Sequence, residues 1–264
     1  MTRSIISYAA AVSAGPEAVG GKGWNLGRLH RYGFVVPQGG ILAADAYTQF
    51  MAQPELQCLC NKLAHVPAED SASAEIASAL HTLRAQIEAV PFAAEVESAV
   101  RAFMSDAGLA AVPVAVRSSA TAEDSSAASF AGIHESFLQV LGVEEVLRAI
   151  KGCYASLWTP RAVAYRRHRG LADDAVACAV VICAMVTGPE QSPPVAAGVA
   201  FSCDPRSGQR DRVTINAVSG WGEAVVSGAV TPEEVTVVQR SDGEVLHIVR
   251  MQEQAQVLTA EQAV

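Results

Sequence analysis

The 264-residue sequence has no run of five or more basic residues, and its formal net charge is −8. A nucleic-acid partner is argued against on this balance, because such binding rests on clustered Lys and Arg that neutralise phosphates. No apolar stretch suits a bilayer span, which removes a membrane role. The six cysteines (Cys58, Cys60, Cys153, Cys178, Cys183 and Cys203) form no C-x-x-C pair and have no histidine at metal-ligand spacing. They read as reduced, mostly buried thiols, and no metal ligands are assigned. Internal repeats and low-complexity linkers are also missing. What is there is a chain with 50% hydrophobic residues, long enough for one large or two smaller domains with a full core. Arg3 followed by the small and apolar residues 5–14 resembles a weak signal peptide, but the run is short and carries one positive charge. The expectation is an uncleaved, cytoplasmic protein.

Two rhythms divide the chain. Residues 1–112 are mainly helical in pattern, with helices expected over 22–32, 45–51, 73–89 and 93–107 and interruptions at Pro54, Pro67 and Pro91. From Val114 onward strands dominate, at 175–186, 195–201, 212–217, 235–239 and 245–251, with Asp242-Gly243 as a hairpin turn between the last two. One long helix interrupts them, its apolar stripe made by Val143, Leu147, Ile150, Tyr154, Leu157 and Trp158. A second helix is expected over 160–169, where Thr159 caps and Pro160 takes the first helical position. Its basic cluster, Arg161, Arg166, Arg167, His168 and Arg169, suits a solvated face better than a phosphate contact. Subdomains are accordingly expected at 1–112 and 113–264.

The chemistry concentrates in residues 114–136, V-A-V-R-S-S-A-T-A-E-D-S-S-A-A-S-F-A-G-I-H-E-S. Arg117 is expected to stand where an apolar strand ends, and its planar fork of donors suits phosphate oxygens. Ser118, Ser119, Thr121, Ser125, Ser126 and Ser129 offer hydroxyls, and the small residues allow backbone N–H groups near an anion. A solvated Ser/Ala linker is the plainer alternative, yet linkers seldom begin on such a strand or end in Phe130-Ala131-Gly132. A second constellation, V-G-G-K-G-W-N-L-G at 19–27, sets glycines around Lys22 directly before a helix, so that backbone donors and an ammonium converge on an anion. It is not a Walker A loop: Gly23 stands where Ser or Thr would hold magnesium.

G-G-K-G-x-N-L-G followed about ninety residues later by R-S-S-A-T-A-E-D resembles the nucleotide-binding domain of the phosphoenolpyruvate synthase, pyruvate phosphate dikinase and rifampin phosphotransferase family. The resemblance continues in F-S-C-D-P-R-S-G at 201–208 and in 219–228, which contains G-W-G-E-A-V-V-S-G. It implies an α+β, ATP-grasp fold, with a mostly helical N-terminal subdomain and a sheet-rich second one around a nucleotide cleft, Lys22 and Arg117 facing each other there. Cleavage after Ala14 would remove what looks like that fold's first strand. By resemblance Lys22 and Arg117 reach the nucleotide phosphates and are the catalytic residues, with Gly132 and Ser136 in the loop over the nucleotide. Cys183 falls near the adenosine, and Glu223 is a candidate for holding the nucleotide or its metal, though a capping or turn role is almost as good a reading. Asp204 reads as a turn-former.

The implied activity is a phosphotransferase with ATP and Mg2+ as cofactors, passing a phosphoryl group through a carrier histidine to pyruvate or to an alcohol- or phenol-type small molecule. None of His30, His65, His81, His134, His168 or His247 has the Gly/Thr-rich context of that carrier, so carrier and acceptor domains are expected in a longer chain or a partner subunit. In the family an acidic magnesium ligand and a Gln-x-Arg-Pro strand follow a segment like 257–262, and without them the isolated chain is expected to be inactive. Departures from the pattern are Ile133-His134 for two glutamines, Ser136 for threonine and Cys183 for a glutamine. Losing that amide weakens base or ribose recognition. The alternatives are a degenerate, non-catalytic nucleotide- or partner-binding module, or a discrete subunit of a split phosphotransferase.

Overall fold

In a computed structural model, residues 4–64, 73–121, 135–172, 175–226, 228–239 and 245–252 are described. The fold is α+β and divides into two compact units, Met1–Met185 and Val186–Val264. The boundary expected at 112/113 lies between a helix (Ala94–Asp106) and a strand (Val114–Ala120) of the first unit.

The first unit is built on a five-stranded antiparallel sheet of order β1-β2-β5-β3-β4. Its strands are β1 (Ile5–Ile6), β2 (Gly39–Leu42), β3 (Val114–Ala120), β4 (Ser136–Val140) and β5 (Cys178–Ala184). Helices α1 (Tyr8–Ala14) and α2 (Pro16–Arg31) belong to one face, with Tyr8, Ala11 and Val19 clustered against Ala115, Ala179 and Val181. The opposite face carries the larger core, drawn from α3 (Ala44–Met51), α4 (Pro54–Ala64), α5 (Ala74–Ala89), α6 (Ala94–Asp106), α7 (Val143–Ser156) and α8 (Pro160–His168). The sequence explains these helices locally. Ser73 Oγ accepts from the Ile76 N–H to start α5, and Thr159 Oγ1 accepts from the Ala162 N–H to start α8. The expected stripe on α7 is buried at Leu147, Ile150 and Tyr154, and Tyr154 packs edge-on against Tyr47 at 5.0 Å between ring centres.

The first strand expected before Ala14 is present as Ile5–Ile6, and residues 8–14 after it form a helix, because an Ala-rich run favours helix. Other expectations need correction. Pro54 opens α4 instead of merely interrupting helix, since the first helical position needs no N–H. The α8 basic cluster is not a solvated face throughout: Arg166 is 1% exposed, donates to the Leu157 carbonyl and lies over the Trp158 ring. Arg167 donates to the Leu63 carbonyl at 2.8 Å.

The second unit is a four-stranded antiparallel sheet, β6 (Ala196–Phe201), β7 (Arg212–Ser219), β8 (Glu233–Gln239) and β9 (Val245–Gln252), in sequence order. One short helix, α9 (Glu223–Val226), follows β7. The turn expected at Asp242-Gly243 lies outside the described residues, though the strands on either side of it pair as antiparallel neighbours. Asp204 forms the expected turn, its carboxylate accepting from the Arg206 N–H at 2.8 Å and from the Ser207 hydroxyl at 2.8 Å. No helix among the described residues is long and apolar enough to cross a membrane.

Candidate functional site

The site grows from the alternation of β3. Side chains at 115, 117 and 119 share one face of the strand, and that face is the one clustered with α1 and α2, because Ala115 packs in their cluster and Ser119 bonds to α2. Arg117 lies in the middle of β3 rather than at its end, because Ser118–Ala120 continue the pairing with β5, and it is the exposed member of an otherwise buried strand. It stands opposite Val181 on β5 and opposite Ser136 on β4, and directly paired residues of an antiparallel ladder project to the same side. Ser136, also exposed, therefore shares the Arg117 face. Cys183 shares it too, paired with Ala115 on one side and Gly39 on the other.

Lys22 comes to this face on α2. That helix is broken at Gly20, whose φ of 66° and ψ of 173° lie outside helical space. A left-handed φ favours glycine, and the position also allows no side chain: a Cβ on Gly20 would overlap the Ser119 carbonyl oxygen. Helix resumes beyond Gly20, so Lys22 occupies its first turn. Gly23 in the same turn donates its N–H to Ser119 Oγ at 3.1 Å, and that hydroxyl donates to the Val19 carbonyl at 2.9 Å. Lys22 is half-buried, and its charge lowers the Cys153 thiol against the larger rise that burial causes.

Electrostatics tie Arg117 to its neighbours. Burial pushes the Cys183 thiol up, and the guanidinium of Arg117 opposes that rise. The Tyr8 phenol is pushed up by burial first and by Cys183 second, again opposed by Arg117. Tyr8 Oη is buried without a hydrogen-bond partner among the described residues, close to the point where a Gly39 Cβ would sit. Sequence reasoning missed Tyr8, and the period-2 offset from Arg117 was the available signal for Ser119's shared face.

Not every expected residue joins this cluster. Ser118 and Ser119, read as hydroxyls offered to an anion, are committed to backbone: Ser118 Oγ donates to the Glu135 carbonyl at 3.1 Å, and Ser119 holds the glycine turn. Thr121 Oγ1 accepts from the Ala177 N–H at 3.2 Å. Such short polar side chains near a strand end satisfy local backbone groups first. Gly132, with Ser125, Ser126, Ser129, Ile133 and His134, lies outside the described residues. Glu223 is an exposed residue at the start of α9 in the second unit. Among the described residues no group of three or more His, Cys, Asp or Glu could hold a metal ion.

The chain is 40% identical over 237 residues to a rifampicin phosphotransferase of a Streptomyces species, covering 89% of this chain and 26% of the relative. It is 40% identical over 230 residues to a phosphoenolpyruvate synthase of Neisseria meningitidis, covering 84% and 28%. Against a phosphoenolpyruvate synthase of Pyrococcus furiosus it is 36% identical over 254 residues, covering 83% and 30%. The chain thus spans under a third of the length of these relatives. Residues 16–264 match the family model described as pyruvate phosphate dikinase, AMP/ATP-binding domain, and the chain belongs to that family.

Proposed function

We propose that this chain is the ATP-binding part of a dikinase-type phosphotransferase, passing a phosphoryl group from ATP through a carrier histidine to a small-molecule acceptor, pyruvate or an alcohol- or phenol-type compound. The observation that carries the reading is the junction of β3 and the glycine turn, where Ser119 holds the segment bearing Lys22 two residues from Arg117. An exposed guanidinium and a half-buried ammonium presented from rigid elements suit a polyphosphate. The first turn of a helix at Lys22 adds the favourable end of the helix dipole. The donor set therefore fits the anionic part of ATP. Ser136 and Cys183, on the same face, are proposed to line the nucleotide, and Gly132 and Glu223 are proposed as further nucleotide-binding residues.

Magnesium, when bound, would neutralise charge on the migrating phosphoryl group. Glu223 is the candidate carboxylate that would help to hold it. Lys22 and Arg117 hold and orient the phosphates, and the carrier and acceptor functions fall to other domains of a longer chain or to a partner subunit. A cytoplasmic location is part of the proposal. Cys183, buried and without an amide, favours a second reading as a weakly binding, non-catalytic module.

Calorimetric titration with ATP and magnesium, repeated on Arg117→Ala, tests the reading. Micromolar to submillimolar binding that weakens by about a hundredfold in the variant is expected, since charge-assisted hydrogen bonds are worth roughly 1.5–3 kcal/mol each. Equal binding by parent and variant would overturn the assignment of Arg117.

A further inference from the structure

We infer that Ser119 is a positioning residue for nucleotide phosphate, acting through the backbone of the glycine turn rather than by touching the ligand. The inference rests on the proposed phosphate roles of Lys22 and Arg117. Gly20 breaks α2, and the helix that restarts behind it has first-turn N–H groups with no partner inside the helix. An N-cap side chain ordinarily accepts from the second or third of these from just upstream. Here the acceptor comes from another element: Ser119 Oγ takes the Gly23 N–H at 3.1 Å across 96 positions of sequence.

The same hydroxyl donates to the Val19 carbonyl at 2.9 Å, on the other side of the break. One oxygen thus clamps both flanks of the turn that carries Lys22. The clamp is fully buried at Ser119, out of competition with water. Gly20 seats the turn directly on the Ser119 backbone, where any side chain would collide. Because Ser119 is two residues from Arg117 on the same strand face, its bonds set where the lysine-bearing turn stands relative to the guanidinium. A polyphosphate spanning both cations depends on that spacing, whereas a nucleoside lacking phosphate does not. Misplacement of a binding group by about 1 Å is costly to a preorganised site.

The test compares ATP with adenosine, both titrated calorimetrically into the 264-residue chain, Ser119→Ala and Val100→Ala. Val100 is buried on α6, in the core cluster that does not contain α2, and controls for general destabilisation. Ser119→Ala is expected to lower the ratio of ATP to adenosine affinity about tenfold, the size of a lost cap. Val100→Ala is expected to leave that ratio unchanged. An unchanged ratio in a folded Ser119→Ala, or an equal fall in Val100→Ala, would overturn the inference. A parent that does not prefer ATP to adenosine would instead overturn the phosphate reading on which it rests. Amide exchange at Gly23 in the parent without nucleotide tests the clamp even where Ser119→Ala fails to fold: slow exchange is expected, and exchange at the rate of an open turn would overturn it.

Discussion

The two units use β-sheet in different ways. In Met1–Met185 the sheet is covered on both faces by helices, and β5 is buried along nearly its whole length. In Val186–Val264 the sheet has one four-residue helix among its described residues, and among its described side chains the buried ones are Val218, Thr214 and Thr236. Ile215, Val235 and Val237 in the same sheet are only half-buried. The difference teaches where precision resides. The residues proposed to hold the nucleotide, Arg117, Ser136, Cys183 and Lys22, are mounted on the unit whose packing fixes them, and rigid elements hold side chains more exactly than loosely covered ones.

The sharpest way to break this comparison is to cut one aliphatic side chain in each unit. Ile150→Ala on α7 empties a fully buried site and is expected to cost about 2–5 kcal/mol. Ile215→Ala on half-buried β7 is expected to cost about 1 kcal/mol, because less apolar area leaves water there. Denaturant unfolding measures both, and equal losses would mean that the second sheet is as well covered as the first.

Next in size is the separation of binding from stability. Arg117→Ala, exposed on its strand, is expected to leave the thermal midpoint within about 2 °C of the parent while ATP affinity falls. A fall of several degrees would make Arg117 a structural residue.

The units share an acid arm, since Glu144 in the first is held low by its hydrogen bond from Arg101, and they differ in the alkaline arm that weakens the first. In the first, burial raises the thiols of Cys153 and Cys183 and the phenols of Tyr8, Tyr47 and Tyr154. Groups raised in the fold stabilise it fully below their unfolded values and lose that stabilisation as pH rises. The first unit should therefore weaken from about pH 8.5 upward, where ordinary thiols begin to ionise. In the second, Asp204 is lowered by the Arg206 backbone N–H and the Ser207 hydroxyl. Its contribution is present above the ordinary aspartate value and lost as pH falls below about 4. Stability curves that followed one pH profile for both units would contradict this split. Smallest is Arg206→Ala, which removes the exposed arginine paired with Glu234 and is expected to change stability by about 0.5 kcal/mol or less.

Much of this was legible in the sequence. The stripe from Leu147 to Tyr154, the helical pattern over 73–89 and the cap at Thr159 are local signals, and the helices they predict are present. The motif pair around Lys22 and Arg117 identified the family that the comparisons show. What was not legible depended on long-range contacts. Gly39-Gly40-Ile41-Leu42 has little strand propensity, yet forms β2 because glycine at 39 and 40 lets it lie against Ile182 and Phe103. The division at 185/186 follows from β3 and β5 pairing with each other and, through β5, with N-terminal β2, which no local period reveals. Ser119 was read as one hydroxyl among several, since its partners lie about a hundred residues upstream.

The central claim is that the glycine turn and β3 form one nucleotide-holding unit, and hydrogen exchange with and without ATP and magnesium tests it most directly. Slowed exchange over 19–26 and 114–121 on adding ATP, with no change over α5 and α6, is the predicted result. Unchanged exchange in both segments under saturating ATP would contradict it.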